Sequence, residues 1–297
     1  MTSETEEYST EAQLRETFEE VGAVLEYSAD AYLIGGGAMT LRGTKPSTKD
    51  VDLVVADEDS FKRIQAALLD ADYSVETEVA PEYESLGATA VLKREGGGHV
   101  DLFDRQVALK LEFSDGMQSR ATKMLSVGEL TVWACAPVDV ALFKMMTPRP
   151  DDTQDVRDII TANPESFDWN TVHSEFESQL PLNFGNREYE WLTENKPHPI
   201  IQFERTIRKL DGVPSQLEET VRRVADTVET EGYIIQYLRR AESVKATQLQ
   251  ERVVETNPTI TEHVERALER LTQKGVVSRD SDTDTVELDT TWAEDTV

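Results

Sequence analysis

Ala31-Tyr32-Leu33-Ile34-Gly35-Gly36-Gly37 is followed, after twelve intervening residues, by Asp50-Val51-Asp52-Leu53-Val54-Val55. The first segment reads as a short apolar strand ending at a glycine turn. The second reads as a buried strand rich in β-branched residues, closed by the acidic cluster Asp57-Glu58-Asp59. On a strand, side chains two apart share a face, so Asp50 and Asp52 point the same way while Val51 and Leu53 enter the core. Two such carboxylates repel each other, and a divalent cation is what most naturally holds them together; hard oxygen ligands suit Mg²⁺ or Mn²⁺. The alternation returns in His99-Val100-Asp101-Leu102-Phe103, which brings Asp101 to the same sheet surface if the two strands are neighbours. Three carboxylates on adjacent strands supply the ligands of two-metal phosphoryl chemistry. Gly35, Gly36 and Gly37 have no Cβ, so backbone N–H groups can approach phosphate oxygens at the start of a helix expected from Ala38.

Outward from this centre, Leu14, Phe18, Val21 and Leu25 fall at helical spacing and predict an amphipathic helix over residues 10–27. Ser60 is the expected N-cap of a helix burying Phe61, Ile64 and Leu68. Strands are expected at 73–79, 89–93 and 99–103, the last two joined across Gly96-Gly97-Gly98 as a hairpin, and again at 131–134. Pro137 opens a helix, and a helical region with segments at 153–162, 169–180 and 200–210 follows, broken at Pro164, Pro181, Pro197 and Pro199. A linker is expected at 211–215. Beyond it come helical patterns at 217–240, 244–253 and 260–274, then Val276-Val277-Ser278 and residues 285–288 as a ribbon. This is the order of a winged helix-turn-helix.

The chain has 297 residues, with 58 acidic against 30 basic side chains and a net charge of −28. The acids are spread along the chain, as on the surface of a protein adapted to a high-salt cytoplasm where screening is strong, so net charge says little about partners. Cys135 is the single cysteine, which excludes an intrachain disulfide and a cysteine-built zinc site and fits a reducing cytoplasm. Residues 1–9 are acidic and polar without an apolar signal region, and no stretch approaches the length of a membrane span.

The glycines, the following helix, Thr48-Lys49-Asp50-Val51-Asp52-Leu53 and the later Val100-Asp101-Leu102 resemble the polymerase-β type nucleotidyltransferase superfamily. Within it the chain is most similar to the minimal nucleotidyltransferases of the AbiE type II toxin group, although many members have Gly-Ser where this chain has Gly-Gly. That group carries Lys-x4-Arg and then Asp-x6-Asp, and here Lys144 with Arg149 and Asp151 with Asp158 match both spacings, while Asp152 and Asp155 leave the acidic register open. The resemblance covers about residues 10–180. It implies a nucleotidyltransferase fold with a mixed sheet and flanking helices, and the element pattern along the rest of the chain completes an α+β reading: a catalytic domain at 1–136, a helical cap at 137–213 and a winged-helix domain at 214–297. The resemblance to the superfamily does not extend to the last of these. It implies NTP as substrate, Mg²⁺ or Mn²⁺ on Asp50, Asp52 and Asp101, and nucleotide contacts from Gly35, Gly36, Gly37, Thr48, Lys49, Lys144 and Arg149. Asp101 would also assist deprotonation of the acceptor hydroxyl, on RNA such as tRNA or on a protein. Asp104 is read as a turn residue, and His99 either as a surface histidine or as a group orienting Asp101.

Val264, Ala267, Leu268 and Leu271 form the expected buried face of the recognition helix, leaving Thr259, Thr261, Glu262, Glu265, Arg266 and Glu269 outward. Base readers are normally Arg, Lys, Asn or Gln, so protein contact, by self-association or with a cognate antitoxin, is favoured over DNA. The alternative from another class is a winged-helix regulator with an inactive, ligand-sensing nucleotidyltransferase domain.

Overall fold

Thr10 starts the first helix by a reciprocal cap: its hydroxyl accepts from the Gln13 N–H, and the Gln13 side chain accepts from the Thr10 N–H at 2.9 Å. The resulting α1 (Glu11–Val24) buries Leu14, Phe18 and Val21, the stripe its periodicity predicts. The computed structural model describes residues 9–76, 88–95, 98–107, 111–147, 149, 151–180, 189–192, 198–241, 243–256, 263–289 and 292. The chain divides into two compact units, Met1–Phe184 and Gly185–Val297.

The first unit is built on a seven-stranded mixed sheet. After the short β1 (Ser9–Thr10) and β3 (Ser47–Thr48), which pair with each other, its strands are β2 (Ala29–Leu33), β4 (Val51–Val55), β5 (Ser74–Val75), β6 (Ala90–Lys93), β7 (His99–Asp104), β10 (Thr122–Val127) and β11 (Leu130–Ala134). Their order is β10-β11-β2-β4-β7-β6-β5. The β4 strand lies parallel to β7 and antiparallel to β2. It is flanked on both sides, and all five of its residues are buried, as a continuous apolar run in a central strand requires. The expected hairpin is present as antiparallel β6 and β7. Gly96 and Gly97, residues 77–79 of the strand predicted at 73–79, and the breaks at Pro181 and Pro197 lie outside the described residues; within 73–76 the strand covers Ser74–Val75. Two further strands, β8 (Gln106–Val107) and β9 (Leu111–Glu112), form a separate pair.

Three local expectations are corrected. Asp57, not Ser60, is the N-cap of α3 (Glu58–Asp70): it is extended at φ −150° and accepts from the Ser60 N–H at 2.7 Å. The helix after β2, α2 (Gly35–Leu41), begins on the glycines themselves instead of after them. The short α4 (Asp115–Arg120) and β10 have no counterpart in the sequence reading. The β10 strand sits at a sheet edge with none of its residues buried and an irregular register between Lys123 and Leu125, so it carries no clean alternation.

Pro137 occupies the first turn of α5 (Pro137–Met145), whose residues from Val138 on are all buried. Helices α6 (Asp152–Ala162) and α7 (Trp169–Ser178) follow, and α5 packs on both.

In the second unit, the predicted linker at 211–215 is a tight turn between α8 (Pro199–Ile207) and α9 (Ser215–Leu238), and these two helices pack together. Then come β12 (Val244–Lys245), α10 (Ala246–Thr256), α11 (Val264–Gln273), β13 (Val277–Asp280) and β14 (Thr285–Leu288), with β14 between β12 and β13. Gly275, at φ +68°, ends α11 in the left-handed conformation expected of it. The α11 helix buries Val264, Ala267, Leu268 and Leu271 and exposes Glu265, Arg266 and Glu269; Thr259, Thr261 and Glu262 lie outside the described residues. The buried carboxylate of Glu231 on α9 takes a hydrogen bond from Arg270 Nε at 2.5 Å and one from the Tyr189 hydroxyl at 3.0 Å. Lys274 stands 4.0 Å from the same carboxylate, and removing Arg270 would cost this buried charge its closest partner. Among the described residues no helix is long and apolar enough to cross a membrane.

Candidate active site

Parallel pairing of β4 with β7 sets Asp52 directly opposite Asp101. Both are buried, Asp101 completely. Asp50 immediately precedes β4 and is more accessible, its side chain 17% exposed. The three aspartates predicted from the sequence therefore share one end of the sheet. The backbone of the glycine turn closes over them: the Ile34 N–H donates to the Asp52 carbonyl at 3.0 Å. Gly35 has φ +55°, and a Cβ there would come within 2.0 Å of Asp52 Oδ2. Only glycine allows this approach. A Cβ on Gly36 would meet the Thr48 hydroxyl at 2.2 Å, and one on Gly37 would meet Leu33 at 2.8 Å. Thr48 is buried and donates to the Asp50 carbonyl at 2.9 Å, so its place is beneath the turn, while Lys49 is exposed. No side chain caps the N-terminus of α2, whose first-turn N–H groups lack acceptors within the helix.

His99 is not a bystander. Its Nδ1 lies 3.0 Å from Asp50 Oδ1 and its Nε2 lies 3.0 Å from Asp101 Oδ1. A neutral imidazole has one N–H, so carboxylates at both nitrogens favour the imidazolium. Burial opposes that charge, but the contacts with Asp101 and Asp50 outweigh it and lift the pKa to about 9. The contact with Asp101 is close but poorly aligned, and both Asp101 oxygens are buried without a hydrogen bond of good geometry. Burial, then the Asp101 and Asp50 charges, push Asp52 up to about 7, against the downward pull of Arg149 and Lys144. The signal for His99 was its position two residues before Asp101 on one strand, which gives the two side chains a common face.

This carboxylate group fits a divalent cation on the chemistry of its donors: hard oxygens, two of them buried and lacking aligned hydrogen bonds, beside a second buried carboxylate that resists ionisation. Among the described residues no three His, Cys, Asp or Glu side chains are placed so that they could hold a metal ion as they stand.

The structure places Lys144 and Arg149 differently from each other. Lys144 is buried on α5, 2.8 Å from Asp152 Oδ1 and 2.7 Å from Asp155 Oδ2. Burial disfavours its charge, and the two carboxylates more than restore it, holding its pKa above the ordinary lysine value. Asp152 also accepts from the Thr147 hydroxyl and from Arg149 Nε, the latter at 3.1 Å. Arg149 is half-buried, and its charge is felt by Asp52. The acidic partners of this network are thus Asp152 and Asp155, while Asp151 and Asp158 are exposed. Lys45, between α2 and β3, reaches Asp155 at 3.0 Å and ties the segment after the glycine turn to α6; the sequence reading did not single it out. At the far end of β7, Asp104 precedes Arg105 at φ +59°, as befits a turn.

Residues 12–208, well over half the chain, match the family described as "Nucleotidyltransferase of unknown function (DUF6036)". A comparison with curated proteins finds no match.

Proposed function

This chain belongs to that family of nucleotidyltransferases of unknown function, and on that premise we propose that it moves an NMP group from an NTP to a hydroxyl acceptor, on RNA or on a protein. Asp50, Asp52 and Asp101 would hold Mg²⁺ or Mn²⁺. The observation that carries this reading is the in-register pair Asp52 and Asp101, buried side by side, the second with no aligned hydrogen bond to either oxygen. The His99 imidazolium at 3.0 Å compensates Asp101 in part, but Asp52 beside it resists ionisation, and a divalent cation would let both carboxylates carry charge. The cation, when bound, neutralises triphosphate charge and lowers the pKa of the attacking hydroxyl.

The residues of the chain do the rest. Asp101 accepts the proton of the acceptor hydroxyl; the hydroxyl oxygen bonds to the α-phosphorus, the bond to the bridging oxygen breaks, and pyrophosphate leaves. The first-turn N–H groups of α2 take phosphate oxygens, an approach that Gly35 and Gly36 keep open. Arg149 supplies positive charge beside Asp52. Lys144, committed to Asp152 and Asp155, orients that segment and is not a direct phosphate ligand. Lys144 with Arg149 also supports the likeness to AbiE-type toxins, with Asp152 as the acidic partner.

For the second unit, two helices followed by an antiparallel ribbon, with β12 completing a three-stranded sheet, support a winged helix. The exposed acids Glu265 and Glu269 on α11 support a protein contact there, a second copy or an antitoxin, rather than a DNA groove. The intact carboxylates weigh against a sensing domain without catalysis. The reading is tested with α-labelled NTPs, Mg²⁺ and candidate acceptors. Label transfer by the wild type and none by a folded Asp52→Ala variant is expected; equal transfer by both removes the mechanism.

A further inference from the structure

We infer that the second unit carries a cleft for single-stranded nucleic acid, in which a base lies against tyrosine and the adjoining phosphates lie on arginine. The inference goes beyond the transfer reaction and does not depend on it. Tyr233, Gln236, Tyr237 and Arg240 fall at i, i+3, i+4 and i+7 of α9 and its end, which makes them one stripe. Arg252 and Val253 of α10 face that stripe across a cleft of about 200 Å³.

Three features select the ligand. The chain carries a net charge of −28, yet the lining of this cleft has two arginines and no carboxylate. Arg240 is exposed and makes no ion pair among the described residues. Arg252 is paired with Glu255 at 2.8 Å and also reaches the Tyr237 side chain across the cleft; the ion pair is more than 60% exposed on both sides, and a surface pair of that kind exchanges for a phosphate at little cost. Tyr233 and Tyr237 are half-buried and pack against the core of the unit. Each ring is therefore held against the core and also borders the cleft, where a base can stack on it. An acidic peptide would satisfy the arginines and leave the tyrosine faces uncovered; a nucleotide uses both.

The test uses the full-length protein without NTP or divalent cation. Fluorescence anisotropy is read with labelled oligonucleotides of about 12 residues, one oligouridine and one oligothymidine, over a range of salt. Saturable binding that weakens with salt is expected. Tyr237→Ala should weaken it about 5- to 150-fold, the range for loss of one stacked base. Arg240→Glu, an exposed change that spares the core, should weaken it and flatten the salt dependence by about one phosphate contact. Asp52→Ala should bind as the wild type does, so a failed transfer assay leaves this result standing. Binding of the oligouridine alone assigns the cleft to RNA, and equal binding of both assigns it to either strand. No saturable binding of either, wild-type binding by both cleft variants, or binding of polyglutamate in their place would overturn the inference.

Discussion

Replacing Asp52 by Asn should stabilise the metal-free protein while abolishing its chemistry. In the folded chain the Asp52 pKa stands at about 7 against an ordinary 3.8, raised by burial first and then by Asp101 and Asp50. Between those values the folded state binds more protons than the unfolded one, so this group's contribution to stability is complete below 3.8 and is lost as pH rises through about 7. At about 1.4 kcal/mol for each tenfold change in proton affinity, the ceiling on the cost of ionising Asp52 is about 4 kcal/mol. Relaxation of the site reduces it, and about 2 to 4 kcal/mol is expected above pH 8. Asparagine has the shape of the protonated acid and does not titrate. Urea melts at fixed salt with EDTA should therefore give equal stabilities near pH 4 and a more stable Asp52→Asn above about pH 8. Mg²⁺ should then close the gap by stabilising only the wild type. An Asp52→Asn protein less stable than wild type at the higher pH, without metal, would refute the argument that this carboxylate is held at a cost to the fold.

Three further outcomes follow from the same geometry. Asp152→Ala leaves the buried Lys144 ammonium with Asp155 alone and should destabilise by about 2 to 3 kcal/mol in denaturant melts, whereas Asp158→Ala, exposed, should change stability by less than about 0.5 kcal/mol. Gly35→Ala forces a Cβ to within 2.0 Å of Asp52 Oδ2 at a positive φ. It should cost upwards of about 2 kcal/mol in a thermal melt and remove label transfer. For His99 the folded pKa is raised to about 9, so its stabilisation is full below its ordinary value near 6.5 and disappears as pH rises through 9. His99→Gln should be the less stable protein at about pH 6, by up to about 3 kcal/mol, and match wild type above about pH 10.

The centre of the fold was legible because it obeys the plainest rule of sheets. Alternation of two put Asp50, Asp52 and Asp101 on one surface, and the parallel register of β4 and β7 then places Asp52 opposite Asp101. The apolar stripes of α1 and α11 were equally direct. What escaped lacked a periodic signal or depended on a distant partner. The β10 strand is an exposed edge, and α4 is six residues long. Asp57 was read as a strand terminator when its side chain starts the next helix. The acidic register of α6 could have been read: Asp152, Asp155, Val156 and Ile159 share one helical face and are buried together, whereas Asp151 and Asp158 fall outside it. The motif spacing left the register open, and the amphipathic pattern selects the pair that meets Lys144. Lys45 carried no such mark, since its pairing with Asp155 spans 110 positions in sequence.

The central claim is that Asp50, Asp52 and Asp101 form a divalent-cation site for nucleotidyl transfer. Titration of the protein with Mn²⁺ in the presence of a non-hydrolysable NTP, read by loss of the free-ion electron paramagnetic resonance signal, tests it most directly. The account predicts saturable Mn²⁺ binding, displaced by Mg²⁺ and lost in Asp52→Asn and Asp101→Asn proteins that remain folded. Binding of equal strength in both variants would place the cation elsewhere and contradict it.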